Sequence, residues 1–310
     1  MADRRVLVIV GPTASGKSAL ALELARARGG VVINADAMQT YDAFPILTAQ
    51  PTEAERQATP HRLYGVLPLS ETLSAQRWRE LAGAEIGHAH DCGRLPILCG
   101  GSGLYLRALM AGFSPVPLVP AEVRTRGTAL WDELGSAAFR AALSARDPAT
   151  VARLALNDRQ RHIRAWEVLE ATGRPLSEWQ AAPPVGAPPR LAFTTILLAP
   201  DRAEVRARIE RRLDAMLGGG VLEEVRAVFD RQPDPTWPGL KAHGAPELIR
   251  HFQGELSLAD ARRIAIDHTR QYAKRQMTWA RHQLTPDLVF EGLGGDAVGA
   301  VAQFLDKTRP

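Results

Sequence analysis

Residues 11–18 read Gly11-Pro12-Thr13-Ala14-Ser15-Gly16-Lys17-Ser18, a complete Gly-x-x-x-x-Gly-Lys-Ser pattern. A loop of this kind turns its backbone N–H groups onto phosphate oxygens. Its Lys adds a full positive charge, and its Ser hydroxyl is placed to hold a magnesium ion. The chemistry expected is the handling of a di- or triphosphate, with Mg2+ at Ser18. Asp36 lies just past a second apolar run at 31–34. In a parallel sheet that edge binds ligands, so an acid there can hold magnesium or act as a base. An Asx-turn or helix cap explains it equally well. A third run ends in Cys99-Gly100-Gly101-Ser102-Gly103, where a phosphate-hydrolysing enzyme often carries a metal-binding Asp. Glycine and serine there argue against an ATPase and suit close approach of a ligand to the backbone.

Other polar groups are less specific. Arg208, Arg211 and Arg212 share one predicted helix, and one of them can reach the phosphate site, but position does not say which. His88 and His90 lack further metal ligands nearby. Cys92 and Cys99 read as unpaired thiols of a reducing compartment.

The elements that must position these groups follow from the apolar patterning. Unalternating runs at 6–10, 31–34, 95–99 and 194–198 suit strands buried on both faces of a parallel sheet. Helical patterns follow the first and third. The fold class expected is α/β: a P-loop NTPase-like parallel sheet core with a helical insertion domain. Proline-rich stretches at 114–120 and 182–189 bracket the insertion, which has stop signals at Gly135, Asp147-Pro148 and Gly173. The expected boundaries are 1–115 and 190–310 for the core and 116–189 for the insertion. Within the insertion, Asn157 or Asp158 caps a helix that carries Arg161 and Arg164 on one face. These cations either belong to a solvated face paired with Glu167 and Glu170 or serve an anionic partner.

A long helix from Ser257 to about Gln283 is more telling. Arg263, Arg270, Lys274 and Arg281 fall in one stripe about 40° wide, opposite Leu258, Ala261, Ala265, Tyr272 and Trp279. Four cations spread over roughly 27 Å suit a phosphate backbone better than one small ligand. Overall, 310 residues with 45% hydrophobic content allow a sizeable core, and a net charge of +4 permits an anionic partner without requiring one. No apolar run reaches membrane-spanning length or forms a signal peptide, so a cytoplasmic protein is expected.

Taken in order, these motifs resemble the tRNA dimethylallyltransferases, which prenylate an adenine beside the anticodon. The resemblance runs from about residue 5 to 282. It rests on 11–18, Asn34-Ala35-Asp36-Ala37-Met38-Gln39-Thr40-Tyr41, Thr48-Ala49-Gln50-Pro51, Pro60-His61-Arg62-Leu63 and Gly100-Gly101-Ser102-Gly103-Leu104-Tyr105. Asn157-Asp158 with Arg161 and Arg164 follows, and last the long, specific Thr269-Arg270-Gln271-Tyr272-Ala273-Lys274-Arg275-Gln276-Met277-Thr278-Trp279.

The resemblance implies that Gly11 to Ser18 bind the diphosphate of dimethylallyl diphosphate rather than ATP, although the loop by itself reads as an ATP-binding motif. Thr13 would touch the bridging and leaving oxygens, Asp36 would be the base for the adenine amine, and Arg212 would help bind diphosphate. Contacts to tRNA are implied for Asp36, Ala37, Met38 and Gln39, for Ser102 and Arg124, and for Gln160, Arg161, His162, Ile163 and Arg164. They are also implied for Lys241, Ala242, His243, Gly244, Ala245 and Pro246, for Arg263 and Arg270, and for Lys274, Arg275, Gln276, Met277, Thr278, Trp279, Ala280 and Arg281. The insertion would grip the anticodon stem, and the enzyme would act as a monomer.

Several positions depart from the family pattern: Leu47 for Gly, Gln50 for Lys, Ala37 for Ser, Ala155-Leu156 for His-Pro, and Ala245 for Tyr. They leave the diphosphate motif intact and bear on RNA contacts and loop geometry. The rival readings are a prenyltransferase for free adenine nucleotides, which needs neither basic stripe nor insertion, and a P-loop small-molecule kinase.

Overall fold

The computed structural model describes residues 4–188 and 190–308. Six parallel strands form one sheet: β1 (Arg4–Val10), β2 (Gly30–Asn34), β3 (His61–Arg62), β4 (Leu95–Cys99), β5 (Leu191–Leu198) and β6 (Leu288–Phe290), in the order β3-β2-β4-β1-β5-β6. β1 lies inside, with Leu7 opposite Ile97 on one side and Thr194 on the other. Alternate residues of β1 serve the two faces. Val6, Val8 and Val10 join Trp78 and Leu106 in one core, while Leu7 and Ile9 join Leu20, Leu24, Val301 and Leu305 in the other. Both faces are thus dry, which explains the unalternating apolar runs. The two edge strands, β3 (two polar residues) and β6 (three apolar ones), are too short to stand out in the sequence.

The chain divides into two compact units, Met1–Met110 with Pro189–Pro310, and Ala111–Pro188. The second unit begins a few residues before the first proline-rich stretch. Phe113 and Val185 exchange backbone hydrogen bonds at 3.0 and 2.7 Å, so the ends of this unit are zipped to each other. Its helices Ala121–Ser144 and Arg159–Thr172 enclose Trp131, Phe139, Leu143, Ile163 and Val168. Gly135, with φ 73°, breaks the first of them. Asp147 and Asp158 cap the next two helices through the N–H groups of Thr150 and Arg161, and Gly173 ends the second in the left-handed region.

Candidate active site

The phosphate loop joins β1 to the helix Lys17–Arg28 at the carboxyl edge of the sheet. Gly16 (φ 86°) and Ala14 (φ 63°) both adopt left-handed backbone, so a non-glycine residue carries part of the curl. The Ser15 N–H donates to the Pro12 carbonyl at 3.2 Å, and Lys17 Nζ donates to that same carbonyl at 2.6 Å. Burial lowers the Lys17 pKa to about 8, although Cys99 and Asp36 pull the other way. The Ser18 hydroxyl lies against the buried Cys99 thiol, which burial pushes up to about 11. The loop is braced from the far end of the chain, since the Gly294 N–H donates to the Ser15 carbonyl at 2.9 Å. A Cβ on Gly294 would lie 2.0 Å from the Gly16 carbonyl oxygen. Nothing in the residues around 294 signals this role except two adjacent glycines.

Asp36 stands two residues past β2. Its Oδ1 accepts from the Met38 N–H at 3.0 Å, so an Asx-turn is present. The turn does not remove Asp36 from chemistry, because the residue lines the same cavity as Thr13 and Arg212. The buried Asn34 amide fixes the Asp36 backbone, accepting from its N–H at 2.7 Å and donating to its carbonyl at 2.9 Å. Ser102 Oγ accepts from the Ala37 N–H at 2.9 Å. Ser102 therefore supports the Asp36 turn.

The glycines beside Ser102 serve a different purpose from the one read in the sequence. Added Cβ atoms would lie 2.1 Å from the Ala35 carbonyl carbon at Gly100, 2.0 Å from Gln276 Nε2 at Gly101, and 2.2 Å from the Trp279 ring at Gly103. The backbone here is approached closely by the protein's own Ala35, Gln276 and Trp279.

The helix Arg202–Leu217 supplies the facing wall. Arg208 Nε donates to the Ala14 carbonyl at 2.9 Å, and Arg212 donates to the Thr48 carbonyl at 3.3 Å. All three arginines, 208, 211 and 212, line one cleft with Lys17 and Ser18. Burial lowers the Arg212 pKa, with Asp36 opposing and Arg208 adding to the shift. The cleft runs into a second, more apolar cavity through shared walls at Thr13, Asp36, Thr48 and Arg212. That cavity is completed by Met38, Leu47, Ile209, Leu213 and Met216 and by His243 and Tyr272, whose rings lie 4.5 Å apart. Cations thus collect at one end, apolar side chains at the other, and a carboxylate stands between.

The long helix Leu258–Gln283 matches its predicted span, with Ser257 as cap. Its polar stripe is not four free cations. Arg270 is held by Glu210 and Asp267, and Arg263 by Asp260 at 3.3 Å. Lys274 and Arg281 are exposed and make no ion pair among the described residues. The opposite side of the helix does more than pack. Gln276 is buried; its Oε1 accepts from the Thr13 N–H at 2.7 Å and its Nε2 donates to the Gly101 carbonyl at 3.3 Å. Tyr272 reaches the cavity beside Asp36.

Other residues assigned to RNA contact divide by exposure. Lys241, Pro246, Arg275 and Thr278 are exposed, and Met277 and Trp279 are half-buried. Ala242, Gly244, Ala245, Gln276 and Ala280 are buried and so closed to a macromolecule. In the insertion, Arg124, Gln160 and Arg161 are exposed, while His162 and Ile163 lie in its core. Arg164 pairs with Glu167 at 3.3 Å, but Glu170 takes Arg126 and Arg146 instead. Of the departures from the family pattern, Gln50 is buried and donates to the Tyr41 carbonyl at 2.7 Å, a fold-holding role.

Among the described residues, no group of three or more His, Cys, Asp or Glu side chains could hold a metal ion. A magnesium ion that keeps most of its waters and takes one protein hydroxyl plus substrate phosphate oxygens fits this donor set. No helix among the described residues is long and apolar enough to cross a membrane.

Sheet, loop and cavity define an α/β phosphate-loop protein whose anion cradle faces a carboxylate. The family model described as IPP transferase matches residues 39–283. A tRNA dimethylallyltransferase of Rhodospirillum centenum is 50% identical over 305 residues, covering 98% of this chain and 96% of its own. One of Rhodopseudomonas palustris strain CGA009 is 51% identical over 280 residues, 90% of this chain and 87% of its own. The crystal structure of a tRNA isopentenylpyrophosphate transferase from Bacillus halodurans is similar at TM-score 0.70 and 30% identity, covering 98% of this chain and 96% of that one. A eukaryotic dimethylallyltransferase acting on tRNA shares the fold at TM-score 0.81 and 23% identity, over 99% of this chain and 80% of that one. The chain belongs to the IPP transferase family.

Proposed function

We propose that this enzyme transfers a dimethylallyl group from dimethylallyl diphosphate to the exocyclic amine of the adenine on the 3′ side of the anticodon in tRNA, releasing diphosphate. The observation that carries the reading is the wall formed by Thr13, Asp36 and Arg212, common to the apolar cavity and to the cleft of Lys17 and Ser18. The names of the relatives support the choice of substrates.

An aromatic amine is a weak nucleophile, so the allylic carbon must be made electrophilic. Loop N–H groups, Lys17 and Arg212 stabilise the diphosphate as its charge grows while the carbon–oxygen bond breaks. The amine nitrogen bonds to that carbon, and Asp36 takes the proton the nitrogen sheds. Ser18 would hold the magnesium ion, which supplies further charge neutralisation on the diphosphate. A base in an anticodon loop leaves its stack more cheaply than one in a duplex. Exposed Lys274 and Arg281 are available for RNA phosphates, whereas Arg161 and Arg124 of the insertion are exposed but pair with Asp158 at 3.4 Å and Glu167 at 3.9 Å. A basic helix and a helical insertion exceed what a free nucleotide needs. The unpaired cysteines Cys92 and Cys99 agree with a cytoplasmic setting.

The test is incubation with unmodified tRNA and dimethylallyl diphosphate, followed by digestion and mass measurement of the nucleosides. Prenylated adenosine is the expected product. Its absence, with ATP-dependent phosphorylation of a small acceptor instead, would overturn the reading.

A further inference from the structure

Leu47 lines the apolar cavity with Ile209, Leu213 and Met216. Those three side chains lie four and three residues apart, hence on one face of their helix. Leu47 is 6% exposed, and its Cδ1 would lie 2.9 Å from a Cβ on Gly244. The turn that carries it is fixed on several sides. The Ile46 and Leu47 N–H groups donate to the Glu224 carboxylate at 2.7 and 2.9 Å, and Thr48 Oγ1 donates to the Phe44 carbonyl at 2.6 Å. Gln50 N–H closes onto the Pro45 carbonyl at 2.9 Å. A branched side chain buried against Gly244 on so constrained a turn yields less to a larger ligand than the unbranched Met216 does.

We infer that Leu47 is a specificity-determining residue that limits the allyl donor to a five-carbon chain. The inference rests on the dimethylallyl-transfer reading. A diphosphate held at the phosphate loop, with its reacting carbon beside Asp36, must lodge the rest of its allyl chain against the apolar walls of this cavity. With alanine at 47 the same cavity would extend toward Gly244. With leucine it ends there.

The experiment compares dimethylallyl diphosphate with the ten-carbon geranyl diphosphate on an unmodified anticodon stem-loop. The readout is the ratio of the two prenylated adenosines, for the native enzyme and for Leu47→Ala and Leu47→Phe. Binding of the unreactive thiolodiphosphates of both chain lengths, read by calorimetry, gives the same selectivity without turnover. Leu47→Ala should raise the geranyl-to-dimethylallyl ratio at least about tenfold in both measurements, the scale of a methylene or more in an apolar pocket. Leu47→Phe should lower dimethylallyl transfer without raising that ratio. A ratio unchanged in Leu47→Ala, with dimethylallyl transfer still measurable, overturns the role of Leu47 and leaves the transfer reading standing. Absence of five-carbon product from the native enzyme overturns the transfer reading itself.

Discussion

Gln276 Oε1 accepts a hydrogen bond from the Thr13 backbone N–H at 2.7 Å, tying the long helix to the phosphate loop. The same amide donates to Gly101, so one buried side chain spaces two loops at the carboxyl edge of the sheet. Replacing it leaves the Thr13 N–H and the Gly101 carbonyl without their partner, at about 1–3 kcal/mol for each buried group. Gln276→Leu should therefore lose transfer activity by about tenfold or more and melt at a lower temperature. Transfer kinetics and a thermal melt check both. Gln276→Glu, which keeps the acceptor for Thr13, should recover part of the loss.

Asp36→Asn separates the base from the turn. Asparagine can still accept the Met38 N–H, so the fold should survive with an unchanged melting temperature. Prenyl transfer should fall by about 10²–10⁴, the usual weight of a positioned base. An Asp36→Asn enzyme with near-native turnover would remove Asp36 from the chemistry.

Lys17 gives a pH dependence with a definite sign. Its pKa is lowered to about 8, so the charge that attracts diphosphate is present below that pH and is lost above it. KM for dimethylallyl diphosphate should rise as pH passes from about 7.5 to 9. Lys17→Arg, cationic throughout this range, should flatten the rise even if its overall activity is poor. The linkage to stability runs the other way. The unfolded chain keeps its Lys17 proton up to about 10.5, so the burial penalty on the folded state is relieved as pH climbs from 8 toward 10.5.

The cations of the long helix should behave unequally. Lys274→Ala and Arg281→Ala should each weaken tRNA binding and reduce the slope of log affinity against log salt by about 0.7–0.9. Arg270→Ala should instead lower stability, because it strands Glu210 and Asp267. Filter binding across a salt series, with melts in parallel, distinguishes the two classes.

Gly100→Ala would drive a Cβ to 2.1 Å from the Ala35 carbonyl carbon, against backbone that has no rotamer to yield. A loss of about 3 kcal/mol or more, or failure to fold, is expected in a urea titration.

Much of this was legible in the residues because it is local. The loop motif, the four apolar strands, the cap at Asp158 and the span of the long helix from Ser257 all depend on near neighbours. What was not legible depends on pairings distant in sequence. Arg263 and Arg270 looked alike on a helical wheel, yet Arg270 meets Glu210 on another helix. Gln276 sat within a motif implied to touch RNA, while its actual partners are Thr13 and Gly101. The glycines at 100, 101 and 103 announced close approach, but of a ligand rather than of the protein's own Ala35, Gln276 and Trp279. Strands β3 and β6 are so short that sheet pairing, rather than residue preference, makes them strands.

The hydrogen bond from Gly294 to Ser15 sets a timetable for biosynthesis. Residues 11–18 leave the ribosome long before their brace, which lies far downstream in the chain. While the residues between them are being made, the nascent chain carries the whole motif with the Ser15 carbonyl still waiting for Gly294. A message cut short just before that codon would yield a product that any motif search accepts, but whose anion cradle lacks the contact that closes it from behind.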